Sequence, residues 1–305
     1  MGVFWPPSKI AKIGDTYYRQ GVCTRAAAGF SLFAGYLSPM LQTDLRITLV
    51  QSDTYWHDVT ANLAELEETL WPLAGKTDVI VLPEMFQTGF TMEVDAVSEP
   101  MGLTTFRWMQ RMAEHTDALV LGSYIVKEEG RFFNRLLWME PDGQFATYDK
   151  RHLFRMAQEH ERFTAGTERM VRMWRGWRLH PLVCYDLRFP VWSRNRREEE
   201  AGQEYDLLLY VANWPAARVN AWDALLQARA IENLCYVVGV NRVGTDGKEI
   251  PYNGHSGVYS PRVERLWFAE DTPQIGQVTL SAEDLLRFRE KFPAHQDADR
   301  FSIEH

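Results

Sequence analysis

Two strand-length runs in this chain are apolar almost throughout: Asp78–Leu82 (DVIVL) and Leu207–Ala212 (LLLYVA). A strand with one face in water alternates apolar and polar residues. A strand without that alternation is covered on both faces. Segments with helical spacing lie between such runs. Val59–Trp71 is rich in Ala, Leu and Glu, Thr104–Glu114 reads as helix, and Val219–Asn233 sets Val219, Trp222 and Leu226 on one face. Further strands are expected at Leu45–Gln51, which alternates, and at Ala118–Ile125, Leu179–Cys184 and Cys235–Val240. Pro141-Asp142-Gly143 is a turn signature, so Phe132–Glu140 and Gln144–Tyr148 should form a hairpin. Short helices are expected at Val191–Arg197 and Ala282–Glu290, with strands and hairpins over Gly257–Thr279. Strands alternating with helices define an α/β chain with buried sheets inside and helices outside. The pattern does not distinguish one sheet from two.

No linker rich in Gly, Pro or Ser divides the chain, and no repeat at solenoid spacing is visible, so its 305 residues suit one large domain. The domain is expected over residues 41–305, with residues 1–40 as a poorly ordered extension from a start codon upstream of Met40. Within that extension, Ala26–Leu37 is too short to span a bilayer, which needs about 20 apolar residues, and matches a signal peptide weakly. The formal net charge of −8, with scattered basic residues, disfavours nucleic acid as a partner. The opposed runs Arg194–Arg197 and Glu198–Glu200 read as a solvated helix end or loop. Cys23, Cys184 and Cys235 are odd in number and widely spaced, which favours a reducing cytoplasm over a disulfide framework.

Three strand ends carry reactive side chains, and strand ends are where α/β proteins place chemistry. LPE delivers Glu84 at the end of an apolar strand. YDKRHLF presents Lys150 after a hairpin strand. LVCYDLRFP runs an apolar strand into Cys184. Each has a plainer explanation: a surface carboxylate, a solvated lysine, a small core cysteine. Together and in this order they resemble the Glu-Lys-Cys set of the nitrilase superfamily of carbon–nitrogen hydrolases. The resemblance runs from about Leu45 to about Leu280 and includes LPEMFQTGF, YDKRHLF, CYDLRFP, NWPAAR and GHSGVYSP. The wording of the motifs is nearest to the omega-amidase branch, which cleaves the side-chain amide of small dicarboxylate monoamides such as 2-oxoglutaramate and 2-oxosuccinamate.

The resemblance implies a four-layer αββα sandwich, a homodimer joined through its helical layers, and catalytic Glu84, Lys150 and Cys184. It also implies a second glutamate after the lysine loop. Glu159 in QEHERFTAG fits best, and Glu161 stands close by. The chemistry suits these residue types. Free cysteine is only a few per cent thiolate at neutral pH, so a base is needed. Glu84 serves if burial raises its proton affinity. Lys150 and the backbone N–H of Tyr185 then stabilise the oxyanion. No cofactor, metal or membrane enters this scheme, and the partner is a small amide. His180 lies four residues before Cys184, roughly 13 Å away on one strand, too far to pair with it.

Recognition of a free carboxylate needs a cation. Arg188 offers a bidentate clamp, or else a structural ion pair. Tyr185, Phe90 and Trp138 are candidate pocket walls. Rival readings are an amidase for deaminated glutathione, a nitrilase, or a carbamoylase. A metallohydrolase built on Glu159, His160 and Glu161 lacks ligand spacing of the HExxH kind. A catalytically silent binding protein would not need all three of Glu, Lys and Cys.

Overall fold

The computed structural model describes residue 41, residues 43–198 and residues 202–303; the extension expected over 1–40 lies outside the described residues. The first half contains β1 (Leu45–Gln51), α1 (Val59–Leu70), β2 (Val79–Val81), α2 (Val94–Val97), α3 (Thr104–Thr116), β3 (Leu119–Glu128), β4 (Arg131–Met139) and β5 (Phe145–Asp149). Then follow α4 (Glu159–Arg162), β6 (Arg172–Trp174), β7 (Trp177–Val183), α5 (Pro190–Ser193), β8 (Arg197–Glu198) and β9 (Gly202–Gln203). The last part holds β10 (Leu207–Ala212), α6 (Val219–Asn233), β11 (Tyr236–Asn241), β12 (Val243–Thr245), β13 (Pro251–Asn253), β14 (Gly257–Tyr259), β15 (Arg265–Phe268), β16 (Gln274–Leu280) and α7 (Ala282–Lys291).

The question of one sheet or two is answered by the pairing. One six-stranded sheet has the order β16-β1-β2-β3-β4-β5, the other β15-β14-β11-β10-β7-β6. Each has a parallel centre, β1-β2-β3 and β7-β10-β11, flanked by antiparallel strands. Period-two alternation explains the two apolar faces. Ile47, Leu49, Val79, Val81, Leu119 and Leu121 join a core with residues of the second sheet. Val50, Ile80, Leu82 and Val120 instead meet Leu63 and Leu66 of α1 and Met109 and Met112 of α3. Helix α6 covers the second sheet, with Trp222, Leu226 and Ala230 buried and Val219 half-buried. At Gly239 that helix approaches so closely that a Cβ would lie 2.6 Å from Leu226. The architecture is the αββα sandwich: helix, sheet, sheet, helix.

Local chemistry sets the element ends. Asp58 caps α1, its carboxylate accepting from the Ala61 N–H at 2.9 Å. Asp117 ends α3 in the left-handed region, at φ +51°. The helix expected over Val191–Arg197 stops at Ser193. Tertiary hydrogen bonds override it: the Asn195 side chain donates to the Tyr205 carbonyl at 2.8 Å and its backbone N–H donates to the Asn233 side-chain oxygen at 2.9 Å. Beyond it the chain extends, and Arg197–Glu198 pairs with Gly202–Gln203. The charged stretch therefore starts as the helix end and loop expected of it, at Arg194–Arg196, and departs from that reading only at the short strand Arg197–Glu198. Among the described residues no helix is long and apolar enough to cross a membrane.

Candidate active site

Glu84, Cys184 and Asn213 each follow the C-terminal end of a central parallel strand, β2, β7 and β10. Lys150 follows the edge strand β5. The loop carrying Glu84 stays attached to β3: Leu82 N–H donates to Leu121 O at 2.7 Å and Met85 N–H to Ser123 Oγ at 3.0 Å. Lys150 is fixed through its backbone, its N–H donating to Asn134 O and its carbonyl accepting from Gly166 N–H, both at 3.0 Å. A Cβ on Gly166 would fall 2.1 Å from the Asp149 carbonyl oxygen, so this approach requires glycine.

Cys184 sits at φ +46°, where a residue with a Cβ is strained. Asp186, two residues on, stabilises the bend by accepting from the Val183 N–H at 3.0 Å. The same buried carboxylate accepts from the Tyr148 hydroxyl at 2.7 Å, and from His152 through its backbone N–H at 3.0 Å and Nδ1 at 2.7 Å. Asp186 therefore grips the residues on both sides of Lys150 and ties the lysine loop to the cysteine loop.

The floor of the site is a buried charge cluster. Lys150 Nζ donates to Glu84 Oε1 at 2.9 Å and to both Glu159 oxygens at 3.0 Å. Asn134 Nδ2 donates to Glu84 at 2.7 Å and to Glu159 at 3.2 Å. The Asn213 N–H donates to Glu84 Oε2 at 2.8 Å, its side chain donates to the Glu84 carbonyl, and its own carbonyl lies 3.8 Å from Cys184 Sγ. Glu84 and Lys150 are 1% exposed, Glu159 0% and Cys184 8%, so the sulfur is the member nearest the opening.

Electrostatics follow from this packing. Burial pushes the Cys184 thiol well up, and the Glu84 charge pushes it further, against the opposing pull of Lys150. Both effects favour the protonated sulfur. Burial opposes the Lys150 ammonium, but the Glu159 and Glu84 carboxylates outweigh it and hold the amine charged. Burial raises Glu159, with Lys150 opposing. His180 stands apart. Its Nδ1 lies 2.6 Å from Met170 O and its Nε2 3.4 Å from an Arg169 nitrogen, and burial with that guanidinium lowers its pKa to about 3.

Above the floor opens a cavity of about 460 Å³, and Lys150 and Cys184 both reach it. Phe90, Tyr185 and Arg188 line it. Arg188 forms no ion pair among the described residues; its guanidinium lies 5.0 Å above the Trp214 ring. Trp138 does not line the cavity, which corrects its assignment as a wall. It lies on β4 four residues beyond Asn134, is wholly buried in the core between the sheets, and donates its indole N–H to Glu140 at 2.7 Å. Glu159 and Glu161 are also separated: the single turn of α4 turns Glu159 inward to Lys150 and leaves His160 and Glu161 exposed, so these three do not converge. Asn134, Asn213, Asp186 and Trp214 were not anticipated. NWPAAR and CYDLRFP marked three of their positions, but only the contacts show what they hold.

The profile of the family described as carbon-nitrogen hydrolase matches residues 46–290. An Escherichia coli (strain K12) protein named omega-amidase YafV is 50% identical over 261 residues, covering 85% of this chain and 98% of that protein. A 2-oxoglutaramate amidase of Bacillus subtilis is 29% identical over 82% of this chain and 96% of its own length. The crystal structure of a CN-hydrolase superfamily protein from Xanthomonas campestris, described as carrying an arsenic adduct in its active site, superposes with a TM-score of 0.85. It is 46% identical and covers 86% of this chain and 100% of that one. Strand ends, sheet order and these likenesses agree: the chain belongs to the carbon–nitrogen hydrolase family, the nitrilase superfamily, and within it is similar to omega-amidases.

Proposed function

We propose that this protein is an omega-amidase, hydrolysing the side-chain amide of small dicarboxylate monoamides such as 2-oxoglutaramate and 2-oxosuccinamate to the acid and ammonia. The observation that carries the reading is a thiol at the mouth of a buried Glu-Lys-Glu cluster, in a cavity whose wall bears an unneutralised arginine. The omega-amidase name of the relative sharing half its residues supports the same substrate class.

Cys184 Sγ attacks the amide carbon while its proton passes to Glu84. The C–N bond is still intact, and the carbonyl oxygen bears the new charge. The Lys150 ammonium and the Tyr185 N–H, in the first turn after β7, stabilise that oxyanion. Glu84 then delivers its proton to the nitrogen, the C–N bond breaks, ammonia leaves and a thioester remains. Water attacks the thioester, giving a proton to Glu84, and the thiolate is reprotonated as the acid departs. Glu159 keeps Lys150 charged and aimed throughout.

A homodimer packed through the helical layers and a cytoplasmic location belong to the same reading. Exposed Val191 on α5 and Ile231 on α6 support the first. The free thiols of Cys184 and Cys235 support the second. Ammonia release from 2-oxoglutaramate, 2-oxosuccinamate, glutamine, deaminated glutathione and a simple nitrile tests the function. Preference for the two oxo-acid amides is expected; preference for the nitrile or the peptide amide would sink it.

A further inference from the structure

The cavity wall holds a second arginine with the same character as Arg188. Arg218 closes the short turn Ala216–Arg218 at the end of NWPAAR, just before α6. Its guanidinium lies 5.1 Å from the Phe154 ring centroid. Phe154 in turn meets Tyr185, the neighbour of the nucleophile, edge to face at 5.0 Å. Stacking on an aromatic face holds a guanidinium in place without neutralising it. Neither Arg188 nor Arg218 pairs with a carboxylate among the described residues. Trp214 couples them: its ring lies beneath Arg188, and its indole N–H donates to the Arg218 carbonyl at 2.8 Å.

The acids of the cavity wall sharpen the point. Asp246 is the one carboxylate among its lining residues. It is 7% exposed, and its oxygens are committed to the Lys248 and Ile250 N–H groups at 2.8 and 3.0 Å and to the Tyr252 hydroxyl at 3.0 Å. Lys248 adds a further cation to the wall. Outside the catalytic cluster the wall thus sets three cations, Arg188, Arg218 and Lys248, against one carboxylate already occupied by hydrogen bonds. A carboxylate entering finds two planar donors, whereas an ammonium finds no acid available to it.

We propose that Arg218 determines specificity: with Arg188 it clamps the free carboxylate of the substrate, and the pair disfavours amides bearing an ammonium beside that carboxylate. The proposal rests on the omega-amidase reading and names the residue and the charge rule behind its selectivity. The expected order is 2-oxoglutaramate above glutamine, which shares the carboxylate and the amide but carries an α-ammonium.

The test uses the full chain and its Arg218→Met and Arg218→Lys variants, with kcat and KM measured on 2-oxoglutaramate, glutamine and butyramide. Arg218→Met should lower the kcat/KM ratio of 2-oxoglutaramate to butyramide about 10- to 100-fold, mainly through KM, the range for losing a charge-assisted hydrogen bond. It should also narrow the preference for 2-oxoglutaramate over glutamine. Arg218→Lys should fall between the two, and carries the test if the methionine variant does not fold. A binding measurement checks the same point without turnover: 2-oxoglutarate should bind Cys184→Ala more tightly than it binds Cys184→Ala/Arg218→Met. Equal losses on all three amides, or an unchanged ratio, would overturn the role of Arg218 while leaving the omega-amidase reading intact. A wild-type enzyme that prefers butyramide overturns both.

Discussion

Lys150 and the arginines Arg188 and Arg218 line one cavity, yet they are held in opposite ways. Lys150 is fully buried and meets two carboxylates at 2.9–3.0 Å. The arginines are half-buried and rest on aromatic rings, with no acid beside them among the described residues. A cation in the interior must be paired, because an isolated buried charge is costly. Nearer solvent a guanidinium keeps its charge unpaired at little cost. The floor can therefore hold a permanent, oriented charge against a transient oxyanion, and the wall can leave its charge for a ligand that comes and goes. Floor substitutions should then act on kcat and wall substitutions on KM.

Four experiments bear on that division, ordered by expected effect. Cys184→Ala should lower kcat at least about 10⁴-fold, as loss of a nucleophile does elsewhere. Residual turnover within tenfold of wild type would remove the floor from catalysis altogether. Lys150→Met should lower kcat by about 100- to 1,000-fold, the usual consequence of losing an oxyanion donor. It should also cost about 3–5 kcal/mol of stability in denaturant unfolding, since two buried carboxylates then face each other without a cation between them. An effect confined to KM would contradict the comparison. Arg188→Met should raise KM for 2-oxoglutaramate by about 10- to 100-fold with kcat little changed; a fall in kcat with constant KM would place Arg188 with the floor.

The smallest effect on turnover is expected at His180, which touches neither region. Its folded pKa is depressed to about 3 from 6.5. Below about pH 6.5 the unfolded chain takes up a proton that the folded protein refuses, so stability is present above that pH and is lost as pH falls toward 3. Melting curves from pH 7 to 4 should show a steeper decline for wild type than for His180→Gln, with kcat at pH 7 little altered. Parallel declines would remove His180 as the cause.

Much of this was legible in the chain because its signals are short-range. The run DVIVL is covered on both faces, with Val79 and Val81 toward the second sheet and Ile80 and Leu82 toward helices. The helix at Val219–Asn233 and the strand at Leu207–Ala212 fall where periodicity puts them. Distant hydrogen bonds and packing override local preference elsewhere. Asn195, bound to Tyr205 and Asn233, ends the helix after Pro190 early. Trp138 has the composition of a pocket wall, but its place along β4 carries it past the site into the core. Glu159, the better-fitting of the two glutamates by sequence, reaches Lys150 and Glu161 does not, because the one turn of α4 faces Glu159 inward.

The sequence by itself determined the α/β class, the strand ends at which Glu84, Lys150 and Cys184 stand, and the family they resemble, because side-chain periodicity and motif order are properties of neighbours along the chain. Tertiary structure alone decided the rest. It stacked two sheets and brought Lys150 to Glu84 across 66 positions. It set Asn213 against Glu84 across 129, and let Asp186 clasp both sides of the lysine. It also left two arginines of the wall on aromatic faces. Whether a charge is committed or available depends on what packs around it, and that is fixed only when separate strands meet.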